Sequence, residues 1–338
     1  MRQFALSLVL IFTAGLANAF EAEQVARFGQ SGSDRALRII STADIDFFRP
    51  MIFSFLESAP GTSIEYTVVS SSELQKAIVD EGEAFDVVVS SAMDLQTKLA
   101  NDGWAQRFTS DATSAVPSWA VWNDMLFAFT QEPAAIVVSK SGFGDLPLPE
   151  SRNDLINLLR KHPDLFRGRV GTYDVRQSGL GYLFATQDTR ASEIYWRLTE
   201  VMGGLDAQLY CCSSDMIDAV KSGELLIAYN VLGSYAINRE DRDSFAILLP
   251  SDFTTVMLRT ALIPRNAPSA ELAALFLDHL MTKSHGRDAQ PLTNPELDLG
   301  KNEAALNRIR IGPGLLVYLD QHKKRAFLSE WLSAIYQK

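Results

Sequence analysis

Between residues 37 and 101 the sequence passes three times from a short apolar run to a longer segment whose apolar residues have helical spacing. The short runs cover 37–41, 63–69 and 85–89, and each has the composition of a buried or half-buried strand. A helical segment follows each of them. This order predicts an α/β unit in which a mostly parallel sheet is flanked by helices.

A second unit of the same kind follows, with strand-like runs at 169–173 and 225–229 between helical segments. The chain has 338 residues, more than the roughly 250–300 at which single cores stop growing, so two lobes are expected. A later strand pattern predicts that the chain crosses back. We therefore assign 36–130 plus 250–338 to a discontinuous lobe 1 and 131–249 to lobe 2, with hinge strands between them.

The N-terminus has the pattern of a secretory signal peptide. Arg2 precedes an uncharged apolar run, and Ala17 and Ala19 place small residues where a signal peptidase reads them. Cleavage is expected after Ala19. The alternative is a membrane anchor, but the apolar run is shorter than the roughly 20 residues that span a bilayer. The polar segment 20–35 is predicted to be a flexible leader.

Net charge and cysteine content restrict which classes of partner and site the chain can have. The formal net charge is −10 at pH 7, which argues against nucleic acid, because binding to nucleic acid depends on clustered basic residues. A small anionic solute stays compatible with this charge, since the groups next to a solute decide its binding.

Cys211 and Cys212 are the only cysteines, and by themselves they cannot form a disulfide framework or a zinc site. Both a vicinal disulfide and two free thiols remain open.

Small hydroxylated segments follow the strands of the first unit, at the edge where ligands bind to such sheets. The second unit contributes a turn with Arg176, Ser178 and glycines that leads into a helix, and helix N-termini attract anions. The alternative interpretation is that the hydroxylated residues only cap helices and that the arginine is exposed to solvent. The candidate ligand-binding residues are Thr42, Ala43, Ser71, Ser72, Ser90, Ser91, Arg176, Ser178, Gly179, Gly181, Ser214, Asn230 and Tyr235.

Motifs for catalysis are missing. The four histidines form no His-Glu-x-x-His arrangement, and the sequence contains neither a Gly-x-Ser-x-Gly elbow nor a Walker P-loop. The sequence therefore predicts a protein that is not an enzyme and has no cofactor and no metal. A secreted hydrolase would need a constellation that sequence does not show.

Four short blocks carry a resemblance to a known family. They are residues 37–43, 85–91, 174–182 and 227–230. In this order they resemble the bacterial extracellular solute-binding proteins of ABC transporters, in the branch that holds ferric-iron, sugar-phosphate and phosphoglycerate binders. The resemblance implies a two-lobed type II periplasmic binding fold that closes on its solute.

The resemblance also implies partners. These are an ABC permease or, alternatively, a membrane sensor histidine kinase, and the protein is expected to be a periplasmic monomer. Ferric-ion binders of this branch carry two adjacent tyrosines after the late strand of the second lobe, whereas Tyr235 stands alone here. That departure favours a small anionic solute over iron, which remains the alternative ligand.

Overall fold

The computed structural model describes residues 20–286, 289 and 305–337, so the predicted signal peptide at 1–19 lies outside the described residues. Two mixed sheets, each flanked by helices, form the body of the molecule. None of the helices in the described ranges combines the length and apolar character needed to cross a membrane.

Fourteen strands occur in the described residues. They are β1 (Gln24–Gly29), β2 (Arg35–Ser41), β3 (Thr62–Val68), β4 (Val87–Ser90), β5 (Val121–Trp122), β6 (Leu126–Ala128), β7 (Glu132–Ser139), β8 (Val170–Tyr173), β9 (Gln208–Tyr210), β10 (Ile227–Leu232), β11 (Phe245–Leu248), β12 (Thr254–Met257), β13 (Thr260–Leu262) and β14 (Leu306–Arg308).

Thirteen α-helices accompany them in the same part of the chain. They are α1 (Ile45–Ser58), α2 (Ser71–Gln75), α3 (Met93–Asn101), α4 (Asp111–Ser114), α5 (Lys140–Phe143), α6 (Arg152–Lys161), α7 (Pro163–Phe166), α8 (Gly179–Ala191), α9 (Ile194–Gly204), α10 (Ser213–Ser222), α11 (Gly233–Ile237), α12 (Ala270–His285) and α13 (Gln321–Tyr336).

The first sheet has the strand order β1-β3-β2-β4-β13-β6-β5. Its centre is parallel, because β2 pairs in parallel with both β3 and β4, and the outer pairs are antiparallel. Helix α1 covers this sheet with Phe48, Met51, Ile52 and Phe55. Their spacing of three and four residues places all four on one face of the helix, and all four are buried.

The second sheet has the order β14-β12-β7-β10-β8-β9, and β11 also pairs with β7. Strand β7 is buried along its whole length, as its run of Ala, Ile and Val residues favours. Strand β8 pairs in parallel with β9 and β10, whereas β7 pairs antiparallel with β10. The predicted α/β class is confirmed, and parallel pairing is limited to a few neighbouring strands in each sheet.

The predicted flexible leader is wrong for residues 24–29. These residues form β1, which pairs antiparallel with β3 at the edge of the first sheet. Most of β1 is exposed, and Val25 is 56% exposed, so the strand lacks the run of apolar residues by which buried strands are identified. Phe28 packs edge-on against Phe53 of α1 at 5.8 Å between ring centroids, which ties the strand to the lobe.

The end of the chain belongs with the second sheet, contrary to the predicted lobe 1 boundary. Strand β14 pairs with β12, and α13 packs on α9. Phe327, Trp331 and Ile335 of α13 are buried in the same core cluster as the helices of lobe 2. The return from the second sheet to the first therefore lies between β12 and β13, at 258–259, rather than at residue 250.

Two adjacent connections between the sheets are fastened to each other by a buried ion pair. Arg259 Nε donates to Glu132 Oε1 at 2.9 Å, and both side chains are fully buried. Arg259 N also donates to Thr130 Oγ1 at 3.0 Å. Removing either charged partner would leave the other charge uncompensated in the interior, so this pair fixes how the two connecting segments lie against each other.

Candidate functional site

A cavity of about 90 Å³ lies where segments following strands of both sheets meet. The first sheet contributes residues after β2, β3 and β4, and the second contributes residues after β8, β9 and β10. Its lining consists of Glu23, Thr42, Asp44, Val69, Ser70, Ser71, Ser91, Tyr173, Gln177, Ser178, Gly179, Leu180, Cys211, Cys212, Ser213, Ser214, Leu232 and Tyr235.

Hydroxyl groups dominate the wall formed by the first lobe. Thr42 Oγ1 accepts a hydrogen bond from Ser91 N at 3.1 Å, which couples the segments after β2 and β4. Ser70 precedes α2, and its Oγ accepts from Glu73 N at 3.2 Å, so it acts as a helix N-cap. Ser71 follows it and lines the cavity. This wall can both donate hydrogen bonds to a solute and accept them from it.

Two helix N-termini form the opposite wall. Ser178 is the N-cap of α8, and its Oγ accepts from Gly181 N at 3.1 Å. At the start of α10, Ser213 Oγ accepts from Leu232 N at 3.0 Å and lies 2.5 Å from Tyr173 Oη. The N-cap residue of α10, Cys212, makes no side-chain capping bond. The positive ends of two helix dipoles are therefore directed toward one cavity.

Contacts cross the cleft and hold the two walls together. Ser214 Oγ donates to Asp44 Oδ2 at 3.0 Å, and Asp44 N donates to Tyr235 Oη at 3.4 Å. The Tyr235 ring stacks on Phe47 at 5.6 Å between centroids. A Cβ atom placed on Gly179 would lie 2.6 Å from Cβ of Ser71, so only glycine allows the walls to approach so closely.

Acidic groups also face the cleft. Burial raises the pKa of the Asp44 carboxyl, against the opposing effects of Ser214 and Arg259. Burial likewise raises the pKa of Glu23, and the charges of Asp44 and Asp215 raise it further. The carboxylates of Asp44 and Glu23 repel each other. A group that donates hydrogen bonds or carries positive charge would therefore be favoured beside them.

Seven predicted site residues line the cavity. They are Thr42, Ser71, Ser91, Ser178, Gly179, Ser214 and Tyr235. Six others are not part of its lining. They are Ala43, Ser72, Ser90, Arg176, Gly181 and Asn230.

Arg176 is engaged elsewhere. Its Nε and Nη2 donate to the two carboxylate oxygens of Asp174 at 2.8 and 2.5 Å, and Nη2 also donates to Tyr336 Oη at 3.1 Å. Asp174 is only two residues away along the chain, so the guanidinium has a partner within its own turn. In this conformation the arginine contributes no lining to the cavity.

The other residues outside the cavity serve the structure around it. Asn230 adopts a left-handed φ of 63° and donates from Nδ2 to the buried Asp188 at 2.9 Å. Gly181 allows α8 to pass close to Tyr173, because a Cβ would lie 2.3 Å from Cβ of that tyrosine. Ser90 Oγ accepts from Ala92 N at 3.1 Å and so shapes the turn into α3.

Several lining residues were not among the predicted ones. Ser213, beside the predicted Ser214, could have been found by the same reasoning, since it also lies at the start of a helix. Tyr173 ends β8, so its position after a strand was a usable signal. Glu23 comes from the segment predicted as a loose leader, and nothing in its local sequence indicates a site.

The lining has chemistry suited to binding. In the described part of the chain it contains no histidine and no lysine or arginine. Its polar groups are hydroxyls, thiols, two carboxyls, one amide and helix N-termini. Such groups can orient a small polar solute by hydrogen bonds.

Comparisons with known proteins agree with this architecture. The family model for bacterial extracellular solute-binding proteins matches residues 37–287. The substrate-binding protein of an ABC transporter from Agrobacterium tumefaciens is 32% identical, with a TM-score of 0.87, and the match covers 93% of this chain and 99% of that one. No curated protein matches the sequence.

More distant structures share the fold. AfuA from Actinobacillus pleuropneumoniae, a periplasmic binding protein solved with fructose-6-phosphate, is 16% identical with a TM-score of 0.73, over 90% of this chain and 100% of that one. Iron-bound HitA from Pseudomonas aeruginosa is 15% identical with a TM-score of 0.66, over 89% and 99%. At these identities the likeness establishes the fold alone.

Proposed function

The chain belongs to the bacterial extracellular solute-binding proteins, and we propose that it captures a small anionic solute by lobe closure. The solute is a phosphorylated or carboxylated compound that also carries hydroxyl groups. The protein delivers it to an ABC importer and catalyses no reaction. Export to the periplasm, with cleavage after Ala19, and a monomeric state belong to the same proposal.

One observation carries the proposal about charge. The N-termini of α8 and α10 meet the hydroxyls of Thr42, Ser71 and Ser91 across a single cavity. Helix N-termini offer unpaired N–H groups and the positive end of the dipole, which together favour an anionic group. The support comes from backbone and hydroxyl groups and does not require Arg176.

The acidic residues restrict the rest of the solute. Asp44 and Glu23 line the same cavity and would repel a molecule that is anionic throughout. They can accept hydrogen bonds from hydroxyl groups. A solute with an anionic group at one end and hydroxyls at the other, such as a sugar phosphate or a hydroxy acid, satisfies both walls. AfuA, which shares the fold, was solved with a sugar phosphate bound.

The size of the cavity favours a mechanism with lobe movement. A volume of about 90 Å³ is well below the roughly 300–1,000 Å³ of typical small-molecule sites. The solute would therefore enter a more open form and be enclosed as the lobes approach. Contacts made to both walls only in the closed state would supply the difference in affinity that drives closure.

A thermal-shift screen of the protein lacking residues 1–19 tests the proposal. The panel contains sugar phosphates, phosphoglycerates, di- and tricarboxylates, neutral sugars and ferric ion. A ligand at 100 times its Kd should stabilise the folded state by about 2.7 kcal/mol. We expect a response to a hydroxylated anion. A response to neutral sugars alone would contradict the proposed charge, and a response to ferric ion alone would favour the iron alternative.

Two neighbouring serines give a matched pair of variants for calorimetry with the compound found. Ser71 lines the cavity, whereas Ser72 is exposed and has its Oγ 2.9 Å from Ser70 Oγ. We expect Ser71→Ala to weaken binding by about 1.5–3 kcal/mol, because the variant loses a hydrogen bond to a charged group. Ser72→Ala should stay within about 0.5 kcal/mol. Equal effects would remove Ser71 from the proposed site.

Arg176→Ala tests whether the arginine turns to the solute on closure. An affinity equal to that of the unaltered protein would mean that Arg176 stays paired with Asp174. A loss of about 1.5–3 kcal/mol would mean that the arginine contacts the anionic group.

Uptake of the labelled solute by cells with and without the protein separates transport from the alternative role of reporting the solute to a membrane sensor kinase.

A further inference from the structure

A group of soft and hard metal ligands occurs at the start of α10. Cys211, Cys212 and Asp215 each offer one ligand atom, and these atoms all lie within 4.8 Å of one another. Both cysteines are free thiols in the structure. Two cysteines alone are too few for a zinc site, but the fold adds a carboxylate from the first turn of the helix that follows them.

The group lies on the wall of the cleft. Cys211 and Cys212 both line the cavity, with Glu23 of the other wall facing them. Cys211 Sγ donates to Asp215 Oδ2 at 3.5 Å, and the Cys212 side chain does not cap α10. Both thiols are therefore accessible from the cavity, and the thiol of Cys211 is already in contact with the carboxylate.

The surroundings favour a cation. Asp215 belongs to the group and Glu23 lines the same cavity, so carboxyl groups lie beside both thiols. The sulfur atoms would bind a metal ion as thiolates, since a coordinating thiol is deprotonated by its metal.

We propose that Cys211, Cys212 and Asp215 bind a thiophilic divalent cation such as Zn²⁺. Each thiol releases one proton as its sulfur coordinates the metal, and no group is oxidised or reduced. Three protein ligands leave one position of a tetrahedral ion open, as in zinc sites that accept a further ligand. Because the thiols line the cavity, that position faces the cleft. The site stands independently of the identity of the solute.

The ligand set discriminates between classes of ion. Thiolate sulfur prefers soft and borderline ions such as Zn²⁺, Cd²⁺ and Cu⁺, whereas Mg²⁺ and Ca²⁺ need oxygen ligands. The proposal therefore predicts a response to zinc and cadmium and none to magnesium. It also differs from the phenolate chemistry of ferric-ion binders, because no tyrosine belongs to the group.

Titration of the reduced protein lacking residues 1–19 with ZnCl₂ tests the proposal by calorimetry, with a parallel cadmium titration followed by cadmium–thiolate ultraviolet absorption. We expect one zinc ion per chain. Cys211→Ser and Cys212→Ser should each weaken zinc binding more than about tenfold, and the double variant should abolish it, together with the cadmium absorption. Asp215→Asn should weaken it without removing that absorption.

Asp218→Asn is the matched control. Asp218 lies on the same helix but outside the group, is 61% exposed and pairs with Arg239, so its loss should leave zinc affinity unchanged. Circular dichroism of each variant checks that the fold is retained. Zinc binding that survives in the folded double cysteine variant, or a reduced parent protein that binds no zinc, would overturn the proposal.

Discussion

Ser214 Oγ donates a 3.0 Å hydrogen bond to Asp44 Oδ2 and so joins the N-terminus of α10 to the segment after β2. The first of these residues belongs to the lobe of the second sheet and the second to the lobe of the first sheet. Both line the cavity. The bond therefore links the two walls directly and stabilises the approach of the lobes.

Ser214→Ala should shift the ligand-free protein toward a more open form. The bond has a carboxylate acceptor in a half-buried position, so its loss should cost roughly 1 kcal/mol of the closed state. Small-angle X-ray scattering would show this as a larger radius of gyration than that of the unaltered protein. An unchanged radius would mean that other contacts decide the degree of closure.

Gly179→Ala should hinder closure without weakening the fold. The added Cβ would meet Cβ of Ser71 at 2.6 Å and its Oγ at 2.9 Å, while alanine at the first position of α8 is no worse a helix former than glycine. Solute affinity measured by calorimetry should fall tenfold or more, equivalent to about 1.4 kcal/mol, with little change in thermal midpoint.

Gly181→Ala provides the contrasting variant two residues away. Its Cβ would lie 2.3 Å from Cβ of Tyr173 within the same lobe, so we expect a loss of stability of about 1–3 kcal/mol from overpacking. In a Ser71→Gly background, Gly179→Ala should cost no further affinity, because the clashing Ser71 atoms are removed and only the loss of the hydroxyl remains. A double variant that binds more weakly than Ser71→Gly alone would show that the contact with Ser71 does not limit closure.

The order of strands and helices was predictable because apolar periodicity records which face of each element is buried. Residues 37–41 and 85–89 show the apolar pattern of buried strands, and the structure confirms β2 and β4 there. The family resemblance is confirmed as well. Strand β1 escaped prediction because it is an exposed edge strand, held by pairing with β3, and pairing leaves no periodic signal in a strand's own sequence.

The site was predictable only where position after a strand and capping chemistry coincide, as at Ser71, Ser91 and Ser178. Arg176 shows why charge alone misleads, since the arginine pairs with Asp174 two residues earlier. The direction of a side chain depends on which partners the folded structure places near it. The thiols had no predictable role until folding placed Asp215 beside them.

Asp94→Asn should change how stability depends on pH. Burial raises the pKa of the Asp94 carboxyl to about 7, opposed by its hydrogen bond from Leu95 N and by Lys324, whereas the unfolded chain has the ordinary value near 3.9. Between about pH 4 and 7 the folded state binds more protons, so this group's contribution to the free energy of unfolding falls as pH rises. The loss reaches at most roughly 4 kcal/mol above pH 7.

Asparagine carries no such penalty, so urea unfolding at several pH values should show Asp94→Asn gaining stability over its parent between pH 4 and 8. Asp102→Asn, at the C-cap of the same helix, should show the opposite dependence of stability on pH. The hydrogen bond from Lys98 lowers the pKa of Asp102, so its stabilisation is present above the unfolded pKa and is lost as pH falls. Parallel profiles for Asp94→Asn and its parent would contradict the assignment.

Asp188→Ala should be among the most destabilising single changes in lobe 2. The carboxylate is fully buried and accepts hydrogen bonds from Tyr229 Oη at 3.1 Å, Asn230 Nδ2 at 2.9 Å and Thr255 Oγ1 at 2.6 Å. It also lies 3.4 Å from Nη2 of the fully buried Arg152. Alanine would leave three polar groups without this acceptor and reduce the charge compensation of the guanidinium.

We expect this loss to lower the free energy of unfolding by about 3–5 kcal/mol, the cost of breaking a buried ion pair by removing one partner. Arg27→Ala is the control, because Arg27 is 81% exposed in its pair with Glu65 and exposed pairs contribute less than about 1 kcal/mol. Urea unfolding of both variants gives the comparison. Similar midpoints for the two would show that the Asp188 network is replaced by water or by rearranged neighbours in the variant.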